Sequence, residues 1–150
     1  MTRLLAFAVF GSALAFTLVS CSSDTSDSAP ESTFEPRPGT QSYDSAQAIT
    51  DDLAAGGFPC ETPFEIDSTS RMAANAGRCS IGGTETVLSV YTSTTDRDDS
   101  VNVQSSLLGP AGIEYGLLVG ANWTVNCGSE ATCIAMKVPM GGKIVAEDGK

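Results

Sequence analysis

The sequence predicts a small α+β domain with disulfide staples, built as helix, hairpin, helix, hairpin. Three observations carry that prediction. Apolar residues recur at helical spacing in two separate stretches. Each stretch is followed by a pair of short alternating runs joined across glycine-rich turns. Four cysteines also fall within or beside those elements. Two such units form a four-stranded antiparallel sheet with both helices on one face.

The first helix begins after Tyr43, capped by Asp44 or Ser42. Ala46, Ile49 and Leu53 keep the i, i+3, i+7 rule, and Gly56-Gly57 ends it. Asp51 and Asp52 lie late in this helix, where its dipole disfavours them, so packing must hold it. Pro63 and the polar run to Ser70 read as loop, and Arg71 to Ala76 as one helical turn before Gly77. Ile81, Gly82-Gly83 and Thr84 to Thr92 read as a tight-turned hairpin. In its second arm Thr86, Leu88, Val90 and Thr92 share one face, and Val87, Ser89 and Tyr91 the other.

Ser93 to Thr95 offer caps for the second helix, with Asp96, Asp98 and Asp99 in the first turn, where the dipole favours acids. Val101, Ser105 and Leu108 line one side, and Gly109-Pro110 stops it. Tyr115 to Val119, a turn at Gly120-Ala121-Asn122, and Trp123 to Cys127 make the second hairpin, with Trp123, Val125 and Cys127 facing inward. Glu130 to Val138 is a short third helix ending before Pro139. Gly141-Gly142 then opens the apolar run Lys143-Ile144-Val145, after which the chain frays.

Ahead of this domain, which spans residues 43–150, lie two segments of different character. Arg3 and the uncharged apolar stretch Leu4 to Val19 have the form of a signal peptide. As a helix those sixteen positions reach roughly 24 Å, short of a roughly 30 Å hydrocarbon core, which weighs against a permanent span. Leu18-Val19-Ser20-Cys21 has the form of a lipobox. Residues 1–20 are then removed and Cys21 becomes the acylated first residue, placing the chain on the extracytoplasmic face of a cell membrane. A lone arginine excludes a twin-arginine signal. Ser22 to Ser42 is rich in Ser, Thr and Pro, with Asp24, Asp27, Glu31 and Glu35 and only Phe34 as a large apolar group. It reads as a disordered tether over residues 21–42, of roughly 25 Å root-mean-square span.

Charge narrows the function. All 18 acids lie beyond Cys21 against seven remaining bases, so the mature chain carries 7 − 18 = −11. Nucleic acid is excluded as a partner because its binding needs basic side chains. Attachment to lipid must come from the acyl chain rather than from charge. With no histidine in the sequence, the usual general base and the commonest metal ligand are missing.

The lipobox, the acidic tether, Gly57-Phe58-Pro59-Cys60, the Cys79 hairpin, Val119-Gly120-Ala121-Asn122-Trp123 before Cys127 and the closing Gly141-Gly142 resemble small actinobacterial envelope lipoproteins. That resemblance spans most of the chain. It implies a location at the envelope and transfers no mechanism.

With Cys21 lipidated, Cys60, Cys79, Cys127 and Cys133 remain, an even number in an oxidising compartment. Three pairings are open. Sequence-neighbour pairing, Cys60 with Cys79 and Cys127 with Cys133, is the first choice. It closes loops that stabilise by roughly 3 and 2.5 kcal/mol before strain. A redox or metal role fits less well, because the Cys127–Cys133 spacing is not that of a thioredoxin-like motif and no histidine assists zinc.

Asp96, Asp98 and Asp99 are spaced like a calcium loop, yet Val101 stands at the glycine position and Leu107 at the glutamate position. A helix N-terminus accounts for them better. Asn122-Trp123-Thr124 matches a glycosylation sequon but lies in a tight turn, and Trp123 suits the core better than a contact anchor. No catalytic residue, cofactor fingerprint or metal set emerges. The expected function is a non-catalytic binding or interaction module of the cell envelope, taking a small ligand or meeting an envelope protein through a basic patch on that partner. The alternative is a carboxylate-based hydrolase acting on cell-wall material, or an enzyme inhibitor.

Overall fold

The computed structural model describes residues 34–147. Residues 1–20, Cys21 and the tether up to residue 33 lie outside it, as do residues 148–150, where fraying was expected.

Among the described residues, each of the three helices opens on a serine. Ser45 accepts a hydrogen bond from the Ala48 amide ahead of α1 (Ala46–Ala55). Ser93 does the same from Asp96 ahead of α2 (Thr94–Leu108), and Ser129 from Thr132 ahead of α3 (Glu130–Met140). Each cap is in extended backbone and satisfies one of the donors that a helix start leaves free. Ser45, not Asp44 or Ser42, is therefore the cap of α1.

The third helix runs past its expected end at Val138, through Pro139 to Met140. A proline so close to the C-terminus sacrifices one intrahelical bond. The Gly141 amide closes the helix on the Lys137 carbonyl instead, and the Pro139 carbonyl accepts from the Arg37 amide.

The sheet has six antiparallel strands rather than four. They are β1 (Glu65–Ile66), β2 (Asn75–Ile81), β3 (Thr84–Val90), β4 (Gly116–Val119), β5 (Trp123–Asn126) and β6 (Lys143–Ala146), in the order β1-β2-β3-β5-β4-β6. Both expected hairpins are present. Gly82 and Gly83 turn the first with φ of 59° and 74°, the paired left-handed residues of a type I′ turn. β1 arises in the stretch read as loop, and β6 is the apolar run after Gly141-Gly142. Residues 71–76 do not form a helical turn. Asn75 and Ala76 instead begin β2 opposite Val90 and Ser89. Six residues cannot repay helix nucleation, whereas the ladder with β3 supplies ready-made partners.

The two helices that share a face are α1 and α3; α2 covers the other. Ile49 and Leu53 of α1 and Cys133, Met136 and Met140 of α3 bury against Leu88, Val90, Leu118, Trp123 and Val125. Strand alternation sends Leu117 to the opposite side, where Val101 of α2 and Tyr115 meet it in a smaller cluster. With that face taken by α1 and α3, α2 buries Val101 on the reverse. There the hydroxyls of Tyr91, Ser100 and Thr124 form a buried chain of hydrogen bonds at 2.9 and 3.1 Å.

Residues 34–42, read from sequence as the end of the tether, are strapped onto the domain. Gly39 is buried against Gly141 and Gly142, where a Cβ would clash with their backbone. The Trp123 indole N–H donates to the Gln41 carbonyl at 2.9 Å, and Gln41 Nε2 donates to the Met140 carbonyl at 3.0 Å. Asn122 completes the strap by bonding both the amide and the carbonyl of Tyr43. The segment packs through its backbone, so its polar composition does not oppose ordering.

Candidate functional site

A groove of about 560 Å³ opens between the loop after α1, the β2–β3 turn and the first turns of α3. Phe58 and Pro59 line one side, Ile81 the floor, and Ala131 and Ala135 the other side. Its walls are fixed covalently. Cys60–Cys79, with Cα atoms 5.7 Å apart, pins the Phe58-Pro59 loop to β2. Cys127–Cys133, with Cα atoms 5.3 Å apart, pins α3 to the end of β5. Both bridges have the sequence-neighbour pairing, and each ties down an element that walls the groove.

Glu61 is the carboxylate on this groove. Its Oε2 accepts from the Gly83 amide at 2.8 Å and the Ser80 hydroxyl at 3.2 Å, tying down the hairpin turn. Beside the groove, α3 presents a second apolar surface. Ile134 is 54% exposed and Val138 71%, with Ala131 and Ala135 on the same stripe. Sequence reasoning missed this surface. The signal was present in a helix apolar on two sides: Cys133, Met136 and Met140 inward, Ala131, Ile134, Ala135 and Val138 outward.

On the opposite face a polar cleft of about 660 Å³ lies between α2 and strands β4 and β6. Its arginine is already committed. Arg97 donates to the Gly120 carbonyl at 2.6 Å and to that of Ala121, and pairs with Asp98 at 2.7 Å. It thereby ties α2 to the β4–β5 turn. A third hollow on the outer sheet edge holds Glu65 and Glu85 with Arg78 between them, and Glu85 is largely open to water. Arg78 also reaches Asp67 at 3.2 Å. The Asp67 carboxyl is held below its usual range, first by the Thr69 hydroxyl and amide and then by Arg78.

The other sequence candidates separate cleanly. Cys21 lies outside the described residues. Asp96 accepts from the Ser93 and Thr92 hydroxyls and serves the cap of α2. Among the described residues no group of three His, Cys, Asp or Glu could hold a metal. Trp123 is fully buried, edge-on to Tyr43 at 5.8 Å, and is core. The Tyr43 phenol is pushed up, first by burial and then by its 2.6 Å bond to Asp52. The Asn122 amide of the sequon is occupied by Tyr43. Among the described residues no helix is long and apolar enough to cross a membrane.

No protein-family model, curated protein or solved structure matches this chain.

Proposed function

We propose that this chain is a lipid-anchored envelope lipoprotein, acylated on Cys21 and displayed on the extracytoplasmic face of the membrane. Its α+β head is a non-catalytic interaction module that takes an envelope protein in the Phe58–Ala135 groove. The anchor rests on Arg3, the uncharged run to Val19 and Leu18-Val19-Ser20-Cys21. One observation carries the contact role: an apolar groove whose two walls are each tied down by a disulfide. Contiguous apolar surface left open on a small domain marks a contact site.

The placement of the carboxylates supports binding over turnover. Glycan hydrolysis by carboxylates needs two of them facing one reacting bond. The groove carries Glu61, bonded into a turn, and the polar cleft carries Asp98, paired to Arg97; Glu65 and Glu85 share the outer-edge hollow, but with Arg78 between them, pairing with Glu85. The mature charge of −11 steers association toward a basic patch on the partner, so binding weakens as salt rises.

The test is crosslinking on intact cells with wild type, Cys21→Ala and Pro59→Arg. Wild type should give a salt-sensitive adduct with an envelope protein. Pro59→Arg, which fills the groove, should lose it, and Cys21→Ala should lose membrane partitioning. Turnover of cell-wall glycan or peptide by the purified mature chain, abolished by replacing one carboxylate, would overturn the reading.

A further inference from the structure

We propose that α3 pairs antiparallel with α3 of a second copy of this chain along the stripe Ala131, Ile134, Ala135 and Val138. This seam goes beyond the groove reading, because its occupant is a second copy of this chain rather than an envelope protein. The stripe follows i, i+3, i+4, i+7, the spacing of a helix face that packs on another helix. Its large members, Ile134 and Val138, are open to solvent although the opposite side of the same helix is fully buried.

The stripe is self-complementary in shape. It alternates small and large residues, and a two-fold axis midway between Ile134 and Ala135 exchanges them. Val138 then sits on Ala131 of the second copy, and Ile134 on Ala135 of the second copy. Alanines at the contact let the backbones approach closely enough for the larger side chains to interdigitate. An isologous contact of this kind closes as a dimer and leaves no free seam.

Charge selects the same orientation. Glu130 is the acid of the first turn of α3 and Lys137 the base of the last. Antiparallel pairing brings each Glu130 to the Lys137 end of the other copy and opposes the two helix dipoles. Parallel pairing would set like charges together. Ala131 and Ala135 also wall the groove, so the seam abuts it.

The helix is 11 residues long, roughly 16 Å. A seam of that length buries less than the roughly 1,200 Å² of a standard stable interface, so the free chain should dimerise weakly. Lipid anchoring, as proposed for Cys21, would hold many copies in one plane and raise their effective concentration. Two copies of −11 repel through space, and added salt screens that repulsion. Dimerisation should therefore strengthen with salt, opposite to capture of a basic partner.

The experiment is sedimentation equilibrium of residues 21–150 carrying Cys21→Ser, from low micromolar to near-millimolar concentration, at low and high salt. The expected result is a monomer–dimer equilibrium that tightens with salt. Ile134→Glu and Val138→Lys, both at exposed positions, should each weaken it more than about tenfold. Glu130→Lys and Lys137→Glu should each weaken it about threefold, and the double charge swap should restore it. A wild-type chain that stays monomeric throughout overturns the proposal, as does a dimer indifferent to Ile134→Glu. A charge swap that fails to restore association overturns the antiparallel seam. A monomer that still gives the salt-sensitive, Pro59-dependent adduct would remove the seam and leave the groove reading standing.

Discussion

Asn122→Ala tests how the strap is held. The Asn122 side chain accepts from the Tyr43 amide at 2.9 Å and donates to the Tyr43 carbonyl at 2.8 Å, joining backbone 79 residues away. Each bond is worth about 1 kcal/mol net, and a buried backbone group left without a partner costs about 1–3 kcal/mol more. Tyr43 is only 8% exposed, so water replaces the lost partners poorly. The expected loss is about 3 kcal/mol, lowering the unfolding midpoint by about 12 °C for a chain of this size. Urea or thermal unfolding with disulfides intact reads the stability. Hydrogen exchange of residues 35–43 reads the strap itself, which should lose protection before the sheet does. Ser42→Ala, at an exposed neighbour, should stay within about 0.5 kcal/mol of wild type. A loss below about 0.5 kcal/mol in Asn122→Ala, with strap amides still protected, would show that Asn122 does not hold the strap.

Gly120→Ala should destabilise by more than about 2 kcal/mol in the same unfolding assay, because its new methyl would run into the Trp123 indole, fully buried and bonded to Gln41. Replacing Cys127 and Cys133 together by alanine should cost about 2.5 kcal/mol or more, since the short loop and the fully buried side chains both contribute; non-reducing peptide mapping of wild type should show that link and Cys60–Cys79. The lowered Asp67 pKa means its stabilisation is present above an unfolded carboxyl value of about 3.9 and lost as pH falls through the folded value, so Asp67→Asn should flatten the acid limb of a stability–pH curve. The raised Tyr43 pKa has the opposite sign: its contribution is complete below about pH 10 and lost on going higher, so Tyr43→Phe should flatten the alkaline limb.

What the sequence made legible was local. The spacing of Ala46, Ile49 and Leu53 and the Gly82-Gly83 turn are each decided within a few residues, and α1 and the first hairpin formed where expected. What it hid was set at long range. β1 and β6 are short edges whose partners, Arg78 and Gly77 for one and Gly116 to Val119 for the other, are distant in sequence. Residues 34–42 looked like tether because their side chains are polar, but backbone at Gly39 and Gln41 does the packing. The side of the sheet taken by α2 depends on where the other two helices lie, since α1 and α3 cover Leu88 and Val125.

The candidate site was half legible. The four cysteines announced two staples, and the nearest-neighbour pairing formed. That the staples frame one groove depended on the register that brings Ile81 and Gly82 beside α3. The outward stripe of α3 was hidden by its equally apolar inner side, which alone accounts for a buried helix.

The central claim is that the groove, rather than the protein surface at large, meets the partner. Site-specific photo-crosslinking in living cells tests it most directly, with the reactive group at Pro59 in the groove and, as a control, at Ser106 on the exposed side of α2. One defined adduct is expected from Pro59, weakened by added salt, and none from Ser106. Equal labelling from both positions, or none from Pro59, would contradict it.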